Sequence, residues 1–306
     1  MSAPAVSQGR AWLGYESPEI TARWELRDVL TYALAVGADP EQDPGYLDEA
    51  AGPLVLPTFA TFAAGPWVPH LHRTIWADQP GGVAASLAYR VHRPVPPAGQ
   101  AATRVRVTGY EVKRSALLVW LTTTTTGPDG PLLSGRHSVL FRGGGDRETV
   151  GDTGPWADPH AESGPHAESG PSAAEGGGWL MAPVRIDPRA IPLYRLLLPL
   201  VAGQPGPDPL HADAGASASV GLGPPTLHGV AVLGHVGLAL ARILDGRIGR
   251  VSGFGARFRR PVHPGDTLAV SASRARPGAA WALRATDQAG QDVLDQAWIK
   301  IIEEGP

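Results

Sequence analysis

The chain has 306 residues, with 26 Lys and Arg against 29 Asp and Glu. Its formal net charge of −3 gives no basic footprint for nucleic acid. The length suits about two domains, each large enough to bury its own core. Cysteine is absent, which excludes a thiol nucleophile, a thiolate metal site and disulfides.

No apolar run reaches the length of a membrane span, and the opening MSAPAVSQGR lacks a signal-peptide core. The expectation is a soluble cytoplasmic protein. Residues 1–11 read as a frayed tail. Trp24, Leu26, Val29, Leu30, Ala33 and Leu34 then recur at helical spacing, which predicts a helix over 23–36 closed by Gly37-Ala38-Asp39-Pro40. After a polar loop comes the apolar segment 54–62, stopped at Gly65-Pro66. From His70 to Phe141 the pattern is that of strands, over 83–92, 102–112, 116–126 and 134–141, with a turn at Gly127-Pro128-Asp129-Gly130.

Residues 143–178 lose all periodicity and carry a tandem repeat, Pro159–Gly164 followed by Pro165–Gly170. Its His160 and His166 invite a metal reading. A slipped repeat in a Gly/Pro/Ser-rich stretch favours a flexible linker instead. The second half then repeats landmarks of the first. Arg189–Leu197 answers Arg27–Leu34, Pro225-Thr226-Leu227 answers Pro57-Thr58-Phe59, and Arg260–Gly265 answers Arg93–Gly99. The order is kept and the spacing between the last two landmarks differs by a single residue, so an internal duplication is expected. The repeats would be 12–142 and 179–304.

The densest stretch is GPDPLHADAGASASVGLGPPTLHGVAVLG, from Gly206 to Gly234. A proline-bounded turn displays Asp208 and His211, and an apolar run without proline follows from Gly229 to Leu244. That run reads as one buried helix of about four turns. The backbone N–H of Gly229 would stand at its positive end, where charge can develop on a carbonyl oxygen, so a thioester site is a natural reading.

Pro209, Leu210, His211 and Asp213, with the Pro225-Thr226-Leu227-His228-Gly229 turn, resemble the D-x-N-P-L-H-x-D-P and P-I-L-H-G patterns of the MaoC-like, peroxisomal-type (R)-specific 2-enoyl-CoA hydratases (hydratase 2). The family's catalytic aspartate, five residues before the histidine, is Gly206 here, and its asparagine is Asp208. The resemblance covers nearly the whole chain and implies an α+β double hotdog, two antiparallel sheets each wrapped around a helix. It implies a lyase that hydrates an enoyl thioester or dehydrates a 3-hydroxyacyl thioester, carried on CoA or on an acyl carrier protein, and a homodimer is compatible with it. No cofactor or metal is implied. The N-terminal repeat lacks a His-Gly at Pro57-Thr58-Phe59 and looks like a degenerate site that widens an acyl pocket. A scaffold rerouted to cyclisation or isomerisation in polyketide biosynthesis, or a non-catalytic acyl-thioester-binding subunit, remains as an alternative.

The resemblance makes His211 the acid/base and Gly229 the oxyanion donor. Asp208 replaces the missing carboxylate, orients His211, or is a solvated turn residue. Pro225 belongs to the turn beside the substrate. His228 matches a family position, or is a hydrogen-bonded turn histidine. Asp213 meets the substrate or caps the following segment. His235, inside the helix, is expected to be held by a core partner. Arg257 and Arg259 would share one strand face and meet a pantetheine phosphate or water.

Overall fold

A computed structural model describes residues 12–50, 52–65, 67–77, 82–113, 116–142, 148–154, 179–198, 209–245, 248, 250–274 and 278–302. The N-terminal tail 1–11, His160, His166, Gly206 and Asp208 lie outside the described residues.

The first strand, β1 (Ile20–Trp24), ends on Arg23 and Trp24, the two residues with which the expected helix was to begin. Alternation explains the difference: Ala22 and Trp24 are buried while Thr21 and Arg23 are exposed, so a pleated surface buries what a helix would expose. Trp24 Nε1 donates to Pro96 O at 2.8 Å, and its ring lies where a side chain on Gly99 would stand, 2.9 Å from an ideal Cβ. The first helix, α1 (Leu26–Ala35), begins just after, with Glu25 N donating to Asp28 Oδ2 at 2.7 Å. A turn at Pro57–Phe59 leads into the single turn α2 (Ala60–Ala63). Helix α3 (Trp67–Arg73) follows where strand was expected, because Trp67 and Leu71, four apart, both face the core beside Trp76.

Strands β2 (Val83–Val91), β3 (Gly99–Lys113), β4 (Ala116–Gly127) and β5 (Gly130–Arg142) complete the first half. Part of the stretch read as linker belongs to this sheet: β6 (Val150–Gly151) pairs with Gly109 and Tyr110 of β3. Asp152 takes Arg136 in a two-pronged ion pair of 2.8 and 2.9 Å. The second half supplies β7 (Leu180–Arg185), α4 (Ala190–Leu196), α5 (Ala214–Ser219), α6 (Gly229–Ile243), β8 (Val251–Phe258), β9 (Thr267–Ser273), β10 (Trp281–Thr286) and β11 (Asp292–Ile301).

All pairings are antiparallel, and among the described residues the path runs β1-β3-β4-β5-β2-β8-β11-β10-β9-β7, with β6 on β3. Read from either end the path is the same, with β7, β9, β10, β11 and β8 standing for β1, β3, β4, β5 and β2. The duplication in the sequence is therefore a pseudo-twofold in space. The halves join where Ser86–Arg90 of β2 meets Gly253–Arg257 of β8.

Helix α6 is the centre of the C-terminal half. Every residue from Ala231 to Ala241 is buried, as an all-round apolar helix must be. Burying each of its Val and Leu side chains contributes about 1.5–3 kcal/mol. Gly234 lets α1 approach closely: an ideal Cβ there would lie 2.5 Å from Val36 Cγ1 and 2.7 Å from the Tyr32 hydroxyl. The far end is tied to the first half by Arg242, whose Nε and Nη2 reach Asp43 at 3.0 and 2.6 Å and whose Nη2 also donates to Gly37 O. No helix among the described residues is long and apolar enough to cross a membrane.

Candidate active site

The site forms where the chain folds back onto the first turn of α6. Pro209–His211 is a short turn, and two residues separate it from α5. Asp213 is the N-cap of α5, accepting from Ala216 N at 2.7 Å, which is the capping role weighed for it. Ser217 Oγ donates to Pro224 O at 3.1 Å and ties α5 to the following turn.

That turn is braced from a second direction. Leu227 N and Thr226 Oγ1 both donate to Val262 O at 2.8 Å. His263 Nδ1 lies 3.2 Å from Pro225 O, and His263 N donates to Asp266 Oδ2. The carbonyl of Thr226 is thus presented from a fixed backbone, and His211 Nδ1 sits 2.7 Å from it. A carbonyl oxygen only accepts, so Nδ1 carries the proton in the neutral ring and the lone pair belongs to Nε2. His211, half-buried, is held in the tautomer of a general base.

The His211 ring stacks on His228, centroids 3.6 Å apart and planes 25° apart. His228 is buried and stacks in turn on Tyr194 of α4 at 4.7 Å and 29°. Its backbone caps α6: the carbonyl accepts from Ala231 N at 2.9 Å and Val232 N at 3.1 Å. The N–H groups of Gly229 and Val230 precede the first donor of that ladder and stand at the positive end of the helix. Gly229 is glycine because of close approach. An ideal Cβ would meet the Phe258 ring at 3.0–3.2 Å.

The structure therefore brings together His211, His228, Gly229 and the Pro225 turn, and sets Asp213 at the edge as a cap. Arg257 is not brought there. Along β8, Phe254, Ala256 and Phe258 face α6, so alternation turns Arg257 to the opposite side of the sheet. There it lies beside Ser86, Trp120, Arg136 and Trp298 in a shallow cavity of about 40 Å³. Arg259 pairs with Asp295 at 3.3 Å. His235 is 1 % exposed, with Nδ1 2.8 Å from Ala231 O, and burial pushes it down to about 4.

Three contributors escaped the sequence reading: the Thr226 carbonyl, Tyr194 and Phe258. The signal for Phe258 was present in its alternation with Phe254. Tyr194 sits at helical spacing with Ala190 and Ile191, a pattern that reads as core and leaves no mark of a site neighbour.

Residues 202–292 match the family model described as MaoC like domain. The chain is similar to enoyl-CoA hydratase ChsH3 of Mycobacterium tuberculosis, 32% identical over 85% of this chain and 86% of that protein. It is similar to 3-hydroxyacyl-thioester dehydratase Y of the same organism, 27% identical over 95% of this chain and 97% of that protein. Among solved structures it resembles Rv0216 of Mycobacterium tuberculosis, described as having a double hotdog fold, with a TM-score of 0.60 and 20% identity over 94% of this chain and 96% of that one.

Proposed function

This chain belongs to the MaoC-like hydratase/dehydratase family, and we propose that its His211 and Gly229 carry the reversible hydration of an enoyl thioester to a 3-hydroxyacyl thioester. The observation that carries this reading is the bond from His211 Nδ1 to Thr226 O beside the free end of α6. The substrate carbonyl accepts from Gly229 N–H, at the positive end of the helix. Water adds its oxygen to C3 while His211 Nε2 takes one of its protons, and the electron pair of the double bond moves into the thioester as an enolate. The enolate oxygen stays on the Gly229 N–H, and the proton held by His211 is passed to C2, which restores the neutral ring. The reverse sequence expels water. The acyl group travels on CoA or on a carrier protein, in the cytoplasm.

Asp208, outside the described residues, is the proposed partner of His211. The experiment is the loss of conjugated enoyl absorbance with a crotonyl thioester. His211→Ala should fall by about 10²–10⁴-fold, the usual contribution of a general base. Asp208→Asn should fall strongly, since the amide keeps the shape and loses the charge. A harmless Asp208→Asn with a gain in Gly206→Asp would make Asp208 a bystander. An unchanged His211→Ala would end the lyase reading.

A further inference from the structure

The contact between His211 Nδ1 and Thr226 O fixes one atom of the ring and leaves its plane undetermined. An imidazole held through one nitrogen can still rock and twist about that bond. Nε2, on the other side of Cε1, is carried with it, and Nε2 is the atom that takes the proton from water. The plane is set by stacking. His228 lies face to face with His211, centroids 3.6 Å and planes 25° apart, and Tyr194 lies against His228 in turn at 4.7 Å and 29°. An imidazole face has room for one ring at that spacing, so His228 is held between the other two.

The stack has a solid back. His228 is buried, and its carbonyl is fixed by the first N–H groups of the α6 ladder, those of Ala231 and Val232. Tyr194, on α4, is 3% exposed. Phe62 of α2 packs behind it at 4.9 Å, and Phe62 rests on Tyr32 at 5.4 Å and Phe59 at 5.8 Å. Such a close-packed set of rings gives little slack for Tyr194 to shift. The front of the stack is His211, half-buried at the mouth of α6. We propose that Tyr194 is a positioning residue for the hydration: through His228 it fixes the plane of the His211 ring, and with it the direction in which Nε2 takes the proton. The inference rests on the hydratase reading of His211 and Gly229. It adds the residue that aims the base, two rings behind the reacting water.

The test is kcat and KM on crotonyl-CoA, with thermal unfolding, for the native protein, Tyr194→Leu, Tyr194→Phe and Leu71→Ala. Leu71 is fully buried in the separate cluster with Trp12 and Trp76, so its variant loosens the core without touching the stack. Tyr194→Leu should lose about ten- to a hundredfold in kcat, up to what a displacement of about 1 Å costs. Its KM should stay near the native value, because the Gly229 N–H is untouched. Tyr194→Phe keeps the ring and should recover most of the loss. Leu71→Ala should lower the unfolding temperature without that loss of kcat. If Tyr194→Leu does not fold, His228→Leu against His228→Phe decides by the same criteria, one ring nearer the base. In an enzyme that turns over, a Tyr194→Leu variant with kcat within about threefold of native overturns the proposal and leaves the hydratase reading standing. So does a loss that lies in KM alone, one that phenylalanine does not restore, or an equal loss of kcat in Leu71→Ala. No turnover in the native protein overturns the hydratase reading, and the proposal with it.

Discussion

Replacing Gly229 by proline removes one hydrogen-bond donor while keeping the helix that presents it. Gly229 is the first residue of α6, where proline is well tolerated because its fixed φ is helical and its missing N–H has no partner in the helix. His228 already has ψ 134°, the extended value that a following proline requires. The stability change should therefore stay within about 1 kcal/mol. The chemistry should not survive as well. Losing one oxyanion donor costs about 10²–10³-fold in kcat, or about 2.7–4 kcal/mol. The substitution also brings a Cβ to within 3.0 Å of the Phe258 ring, so Gly229→Ala is the matched control. The ring must give by a few tenths of an ångström, and since a displacement of about 1 Å costs about a hundredfold, alanine should cost only a few-fold. Both variants are assayed by crotonyl-thioester hydration and by thermal unfolding. A proline variant within about threefold of the alanine variant refutes the assignment of Gly229 N–H to the developing oxyanion.

Asp43→Ala should destabilise by about 3 kcal/mol or more in urea unfolding, because it strips the carboxylate, fully buried, from Arg242 and unties the far end of α6 from the first half. Gly234→Ala should cost about 1–3 kcal/mol by forcing a methyl against Val36 and Tyr32, whereas Gly237→Ala, whose Cβ meets Thr58 at an ordinary 3.4 Å, should be neutral or stabilising; equal effects would show that α1 does not press on α6 as described. Burial pushes His137 down to about 3 and His235 down to about 4, so both are neutral in the folded protein. Unfolded, each binds a proton near pH 6.5, so the unfolded state holds more protons below that pH and stability falls as pH falls. The loss begins near pH 6.5 and continues to about 4 for His235 and about 3 for His137, at up to about 1.4 kcal/mol per pH unit for each. Denaturation midpoints that stay flat between pH 6.5 and 5 would contradict this, and His235→Gln should reduce the slope by one proton.

Much of this protein could be read from local patterning. The uninterrupted apolar run from Gly229 marks α6 because a helix buried on all sides needs no polar face, and the repeated landmarks announce two halves of one design. His211 and Gly229 stand out because a histidine turn and a helix mouth have short-range signatures. What the sequence by itself left open depends on residues far apart along the chain. Trp24 belongs to a strand because Gly99 and Pro96 receive it, and Arg257 leaves the site because the register of β8 turns it to the other face. The tautomer of His211 is decided by a carbonyl fifteen residues away that is itself held by Val262. The row from His228 through Tyr194 to Phe62 exists only because the two halves close on one another. Hydrogen bonds and ring contacts of that span carry no periodicity. Only the folded chain, in which their geometry is set by packing from both halves, decides them.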